Sequence, residues 1–458
     1  MGDNGSNNLN DNGFKKELGV WTATAIVIGQ MLGTGIFMAP QGLAELTGAK
    51  AGILGMAIAG CGTMLLAWTF VKMSEENPVT GSAIVNTMDA FGPLPAFMVG
   101  WSYWCGCWIA NGAIILGGIN YLSYFIPALG GGGFLNYGVT LAVLWFYTLL
   151  DIKGVKEAGI MNLVVTIFKI LPIIVIIVIA SMHFDSSNLA TVSDSAAKGM
   201  SGLPLAIAYC LWSFIGFEGA CVNAGELKDK SIIRKSTLLG TLAILVIYVL
   251  LLVLAAGNMD QQSLADSSSP FADIMKQATG GNVAGGFVAI AAFISAFGCT
   301  GAWINSAGRI AYSISELHLF PGSMAKIHEK YKTPVNGLIV NGVLMTIIML
   351  LGYFTHEGNL YNFFVLLAVM SFLVFYAFGA ASEIVLAGKK IRPFNVWNFL
   401  KNSIVSLLAF AYAVYTIYGS GAEYVMYGFL LILMGFPFFI YEKLKTEAEE
   451  EEESENAE

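Results

Sequence analysis

The sequence predicts an all-α integral membrane protein of twelve transmembrane helices, on three observations. The first is composition. Of 458 residues, 56% are hydrophobic and 12% charged, about half the charge of an ordinary soluble domain, and the mean hydropathy is +0.69. The second is length. A span needs about 20 mostly apolar residues, and twelve such runs occur, near 19–39, 51–73, 93–124, 134–152, 159–182, 203–225, 236–257, 283–312, 336–354, 359–386, 399–418 and 422–441. The third is the placement of basic residues. With the N-terminus inside and sides alternating, 19 of the 23 Lys and Arg residues fall inside, and three, Lys50, Lys198 and Lys276, fall outside. Positive residues favour the cytoplasmic side. An odd number of spans would scramble that asymmetry, so an even count with both termini cytoplasmic is expected. The remaining basic residue, Lys169 in "TIFKILPIIVII", lies within the fifth span.

The ends read as polar tails. Residues 1–18 are Asn- and Gly-rich, which suits a disordered cytoplasmic segment and not a cleavable signal. Residues 446–458 form an acidic cytoplasmic tail with eight of the 31 acids. The other 23 acids balance the 23 basic residues, so the net charge of −8 belongs to the tail. It points to neither nucleic acid nor a charged substrate. Between the tails lie a ten-helix core over 19–386 and a final helix pair over 399–441.

Catalytic and metal chemistry finds no constellation. Cys61, Cys105, Cys107, Cys210, Cys221 and Cys299 all lie in apolar segments, so free, buried thiols are expected. Cys105 and Cys107 are two apart, about 200° around a helix, which disfavours a shared metal. His183, His318, His328 and His356 lie in loops or at span ends. They show no metal spacing, and no phosphate-binding loop occurs. No metal, cofactor or enzymatic activity is expected.

Two spans break the rules for hydrocarbon, where irregular backbone survives only if shielded or lining a cavity. "IGQMLGTGIFMAP", Ile28 to Pro40, sets Gly33-Thr34-Gly35 inside the first span. "LWSFIGFEGACVNAG" sets Ser213, Gly216, Glu218 and Gly219 inside the sixth, about 180 residues later. Each opens a block of five spans, near 19–182 and 203–386. One block starts inside and the other outside, so the blocks would be inverted relative to each other. Matched interruptions point to the binding site of a secondary transporter. Close packing by small residues is the plainer reading of either break alone.

A broken helix offers free N–H groups at the start of its second half and free carbonyls at the end of its first. The N–H groups of Thr34, Gly35 and Ile36, with Gly33 at the bend, can hold a carboxylate, and glycine lets a ligand approach the backbone. The carbonyls of Trp212, Ser213 and Ile215 can hold an ammonium group. Together these suit the head of an α-amino acid.

Several side chains can complete the pocket. Tyr103, Cys107, Asn111 and Ile114 fall on one helical stripe. Trp303 lies among small residues in the eighth span, Trp212 at the second break, Gln30 beside the first, and Tyr376 in the tenth span. Aromatic faces attract a cation by about 0.5–2 kcal/mol, although each aromatic alone also suits ordinary packing. Glu218, an acid at mid-membrane, is a functional candidate by default. It can brace the sixth span, carry a proton or bind a cation. Lys169 can dock on freed carbonyls of the first span in place of a sodium ion, or it can snorkel to an interface.

With these residues in view, the chain resembles the amino acid–polyamine–organocation transporters over about residues 18–440. It looks most like their basic amino acid/polyamine antiporters, such as the arginine/agmatine and lysine/cadaverine exchangers. The carrying stretches are "GQMLGTGIFMAP", "YWCGCWIANGAIILGGINYLSYF", "LWSFIGFEGA" and "GCTGAWINSAG", followed by "LFPGSMAKI" and "TPVNGLIV". The resemblance implies a LeuT-like fold of twelve helices with a 5+5 inverted repeat, often a homodimer, in a bacterial inner membrane. It implies exchange of an external amino acid for its decarboxylation product, an amine, with acid resistance as a benefit. A proton-coupled importer without obligatory exchange is the alternative. By position, Thr34 and Gly35 would bind the carboxylate, and Trp212, Ser213 and Ile215 the α-amine. Asn111 would help hold the side chain and Trp303 would stack on it. Trp212 would cover the site, Tyr103 would gate it, and Glu218 would take part in proton-linked gating. Gln30 stands where the arginine exchangers carry Asn, Ile114 replaces a Met, and Lys169 has no counterpart there. The pair can therefore be arginine/agmatine, histidine/histamine, tyrosine/tyramine, ornithine/putrescine or agmatine/putrescine.

Overall fold

The computed structural model describes residues 19–77, 81–153, 158–189, 198–222, 230–331, 333–355 and 359–457. The tail expected over 1–18, His356 and the end of the sixth span past Val222 lie outside the described residues. Among the described residues there is no strand. The helices are α1 (Val20–Met31), α2 (Thr34–Leu46), α3 (Ala49–Glu76), α4 (Ser82–Phe91), α5 (Pro93–Leu122), α6 (Phe134–Lys153), α7 (Ala158–Met182), α8 (Leu203–Leu211) and α9 (Gly219–Val222). After them come α10 (Lys230–Asn258), α11 (Gln261–Asp266), α12 (Pro270–Thr279), α13 (Asn282–Glu316), α14 (Val335–Thr355), α15 (Leu360–Lys389), α16 (Val396–Gly419) and α17 (Ala422–Ala457).

Ten helices are long and apolar enough to cross a membrane, with α1 and α2 together forming the first of them. Two further apolar helices, Lys169–Met182 and Gly199–Phe214, are shorter. They lie in the fifth and sixth expected spans.

α5 and α15 are buried over most of their length, whereas α6, α16 and α17 keep broad exposed faces. Small residues explain the depth of α5. A Cβ at Gly106 would meet the Phe372 ring at 2.9 Å, and one at Gly117 would meet Thr34 Cβ at 2.8 Å. These absent side chains let neighbouring helices approach, the usual device where hydrophobicity cannot drive helix against helix.

Three expectations need correction. The first span runs to Leu46 and not to residue 39. Gln41 and Glu45 look like loop residues, but their side chains are hydrogen-bonded within the bundle. The acidic tail is helical, because α17 continues to Ala457. Ion pairs at i,i+4, Lys443 to Glu447 at 3.6 Å and Lys445 to Glu449 at 3.5 Å, support the extension. The cysteines are free, but Cys61 is exposed, because its position on α3 faces away from the bundle.

Candidate functional site

The first interruption falls where the glycine predicts it. α1 ends at Met31, α2 begins at Thr34, and no side chain caps the new helix at Gly33. Each carbonyl freed at the end of α1 meets a donor. Lys169 Nζ donates to Gly29 O at 2.8 Å, and the Cys299 thiol approaches Gln30 O at 3.9 Å. The Tyr248 hydroxyl donates to Met31 O at 2.7 Å, and Ser295 Oγ to Leu32 O at 3.4 Å. Lys169 is 3% exposed, so its ammonium sits inside the bundle on a helix end, where the carbonyl partial charges favour a cation.

On the other side of the gap, the first N–H groups of α2 have no intrahelical acceptor. Thr34 Oγ1 and Trp212 Nε1 are buried near the Tyr361 hydroxyl without reaching hydrogen-bond geometry to it. That hydroxyl points instead at Thr34 O, 3.5 Å away. Ile36 is fully buried behind them.

The second interruption is built differently. α8 tightens into a 3₁₀ turn at Trp212–Phe214, Ile215 is extended, and α9 begins at Gly219. Gly216 at φ +112° makes the bend, a backbone angle that side-chain-bearing residues rarely adopt.

The two interruptions touch. A Cβ at Gly35 would lie 3.1 Å from Ser213 Cα, Ser213 Oγ and Trp212 Cδ1. Gln30 lies over the other bend, since a Cβ at Gly216 would meet Gln30 Cβ at 3.0 Å. The first turn of α2 is therefore set against the 3₁₀ turn.

Glu218 braces the second bend. Its Oε2 accepts from Gly216 N and from the Tyr376 hydroxyl, both at 3.1 Å, and its Oε1 accepts from the Tyr103 hydroxyl at 3.2 Å. Three elements, α5, α15 and the bend, thus meet on one buried carboxylate. Trp303 packs edge-to-face on Phe372, centroids 5.6 Å apart, and Phe372 packs in the same way on Tyr103 at 5.3 Å. Asn111 gives Nδ2 to Cys107 O at 3.1 Å and leaves Oδ1 buried without a partner. Ile114 is buried on the same helix.

The structure thus gathers the candidates into two groups. Gln30, Gly33, Thr34, Gly35, Ile36, Trp212, Ser213 and Ile215 belong to the breaks, while Tyr103, Tyr376 and Trp303 join through Glu218 and Phe372. Sequence reasoning missed Tyr248, Ser295 and Tyr361, which serve the first break. One signal was available: Ser295, Cys299 and Trp303 fall at i, i+4 and i+8 on one face of α13. Glu383 was missed as a second buried acid. It pairs with Lys72 and is 2% exposed.

Comparison with known proteins identifies the family. Residues 18–440 match the family model described as amino acid permease. An arginine/agmatine antiporter of Chlamydia abortus is 28% identical, with 94% of this chain and 91% of the relative covered. An arginine/ornithine antiporter of Pseudomonas aeruginosa is 26% identical, with 92% and 89% covered. Among solved structures, a nucleobase-cation-symport-1 family transporter, closed with bromovinylhydantoin bound, matches with a TM-score of 0.52. It shares 13% identity, and the match covers 94% of each chain, which speaks for the fold alone. The chain is a multi-pass membrane transporter and not an enzyme, and it belongs to the amino acid permease family.

Proposed function

We propose that this transporter exchanges an external amino acid for the amine made from it by decarboxylation, by alternating access in a bacterial inner membrane. The observation that carries the proposal is the contact of Gly35 with Trp212 and Ser213. It sets helix-start N–H groups beside the carbonyls of a helix end, and it leaves Thr34 Oγ1 without a partner. An α-amino acid supplies a carboxylate and an ammonium at that spacing, while the stripe from Tyr103 to Ile114 with Trp303 receives the side chain. Relatives named arginine/agmatine and arginine/ornithine antiporters support a cationic amino acid as the incoming partner. Decarboxylation inside the cell consumes a proton, so each cycle would aid acid resistance. The proposed architecture has twelve spans with two inverted five-helix repeats, both termini inside and a homodimeric assembly.

A second reading is favoured by the contact of Lys169 with Gly29 O. A buried ammonium on the first break can couple proton release to import without obligatory exchange. Counterflow in liposomes separates the two. Labelled L-arginine should accumulate in vesicles loaded with agmatine and not in empty ones. Accumulation in empty vesicles under a pH gradient alone would refute exchange and establish the importer. If arginine fails on both, the same design with histidine/histamine, tyrosine/tyramine, ornithine/putrescine and agmatine/putrescine finds the pair.

A further inference from the structure

Beyond the first break, α2 ends in a polar hub, joined by Tyr209 of α8, that the transport cycle described above does not use. Its centre is Glu45, half-buried in the last turn of α2. Glu45 Oε2 accepts from three side-chain amides: Gln41 Nε2 at 2.7 Å, Asn362 Nδ2 at 2.9 Å and Asn359 Nδ2 at 3.2 Å. Asn362 Oδ1 in turn accepts from the Tyr209 hydroxyl at 2.7 Å. Gln41 Nε2 also reaches Ala265 O, 3.1 Å away on α11.

The hub therefore ties four elements together: α2, the second half of the first broken helix; α8, the first half of the other; the start of α15; and the short helix α11. Asn362, Gln41 and Tyr209 are nearly fully buried, where polar contacts are stronger than in water. Gly42 allows the approach, since a Cβ there would run into the Tyr209 hydroxyl and lie 2.9 Å from Asn362 Oδ1. Access to Thr34 and Gly35 from this end requires α2 to part from α8 and α15. That movement breaks the Glu45–Asn362 and Glu45–Asn359 bonds, and Tyr209 on α8 holds the Asn362 amide in the orientation that meets Glu45.

We propose that the Glu45 hub is the latch of the gate at this end of the transporter, which the orientation given under the proposed function makes the outer gate. Among the described residues Glu45 makes no ion pair. Its donors are neutral amides, which hold a carboxylate less firmly than a two-pronged arginine does. Such a latch closes the gate and still releases once per cycle.

The amide and the acid can be exchanged to test this. Asn362→Asp keeps the acceptor for Tyr209 but sets a second carboxylate against Glu45. The double variant Glu45→Gln/Asn362→Asp restores one acid and one amide in swapped places. The reporter is native Cys299, whose Sγ lies 3.1 Å from a Cβ placed at Gly33. A membrane-impermeant thiol reagent is applied to right-side-out and to inside-out vesicles, and the adduct at Cys299 is read by peptide mass spectrometry.

In right-side-out vesicles Asn362→Asp should raise the labelling rate about tenfold or more, the factor implied by losing one hydrogen bond to a charged group. The double variant should return it to within about threefold of the wild-type rate, as expected for directly coupled residues. The conservative Tyr209→Phe, which removes one neutral bond, should raise it about fivefold. Unchanged labelling in both single variants overturns the latch, and so does a raised rate that persists in the double variant. If the increase and its rescue occur only in inside-out vesicles, the latch stands and the proposed orientation falls.

Discussion

Gly35→Ala probes the junction of the two broken helices directly. The added methyl would sit 3.1 Å from Ser213 Cα, Ser213 Oγ and Trp212 Cδ1. Carbon contacts settle near 3.5–4.0 Å, so the first turn of α2 and the 3₁₀ turn must separate by about 0.4–0.9 Å. One of the three neighbours is backbone and cannot rotate away. Overpacking of this kind costs about 1–3 kcal/mol, or about 5- to 150-fold in a binding constant. Gly35 is not among the glycines with positive φ, so alanine suits its backbone and gains about 0.4–1 kcal/mol through the unfolded state. The ligand-free fold bears part of this cost, with the melting temperature falling by no more than about 3 °C, and the separated turns should lower affinity as well. Titration calorimetry on purified protein with L-arginine, or whichever amino acid drives counterflow, reads the affinity. Gly138→Ala is the control, since a Cβ at Gly138 on α6 meets nothing within 4 Å. Wild-type affinity in Gly35→Ala would refute the junction as the binding site, as would an equal loss in Gly138→Ala.

Three further outcomes follow from the same geometry. Thr34→Val removes a buried hydroxyl that has no partner; amino acid affinity should fall about fivefold while amine affinity holds, and equal losses in paired titrations would show that Thr34 does not read the carboxylate. Lys169→Met strips the donor from Gly29 O and leaves a buried carbonyl unmet at about 1–3 kcal/mol; exchange in liposomes should drop about tenfold, and a wild-type rate at every pH would assign Lys169 to packing. Asp260 caps α11 by accepting from Ser263 Oγ at 2.7 Å and Ser263 N at 3.0 Å. Those bonds hold its carboxyl below the usual carboxylate range. Its contribution is therefore present above the unfolded value near 3.9 and lost as pH falls through the lower folded value. Asp260→Ala should cost α11 about 1 kcal/mol at pH 7, seen as faster amide exchange over Gln261–Asp266, with the gap to wild type closing in acid.

Much of this was legible because the membrane limits the choices. Length and hydropathy located the helices, since hydrocarbon admits little else. Gly33 and Gly216 located the interruptions, because matched glycine-bearing breaks in two spans about 180 residues apart are harder to explain by helix packing than either glycine alone. What stayed hidden depends on contacts distant in sequence. Glu45 meets Asn362 across 317 positions, and nothing near Glu45 in the chain separates a buried hub from a loop acid. Tyr248 looks like one more aromatic in an apolar run until its hydroxyl is found on Met31 O. The reach of α17 was missed because the glutamate run reads as solvated chain. Lys443 and Lys445, one turn earlier, supply the pairs that carry the helix into it.

The two sides of the first break are not equivalent, and the difference bears on how an exchanger could treat two substrates. On the α1 side each of the carbonyls from Gly29 to Leu32 has a donor, one of them the fixed ammonium of Lys169. A bound cation would compete with those donors there. On the α2 side the first-turn N–H groups have no intrahelical acceptor, and Thr34 Oγ1 has no partner. On the proposed function the carboxylate would meet the start of α2, and the ammonium the carbonyls around Trp212 and Ser213. On the proposed cycle the amino acid engages both halves, whereas the outgoing amine, having lost its carboxylate, engages one. The amine then has to close the transporter without the contacts that α2 makes with its partner. On that cycle the added binding would come from the wall formed by Tyr103, Asn111 and Trp303, which both substrates would share. On that proposal, specificity for the pair would reside in that wall, and the break at Gly33 would distinguish the acid from its own product.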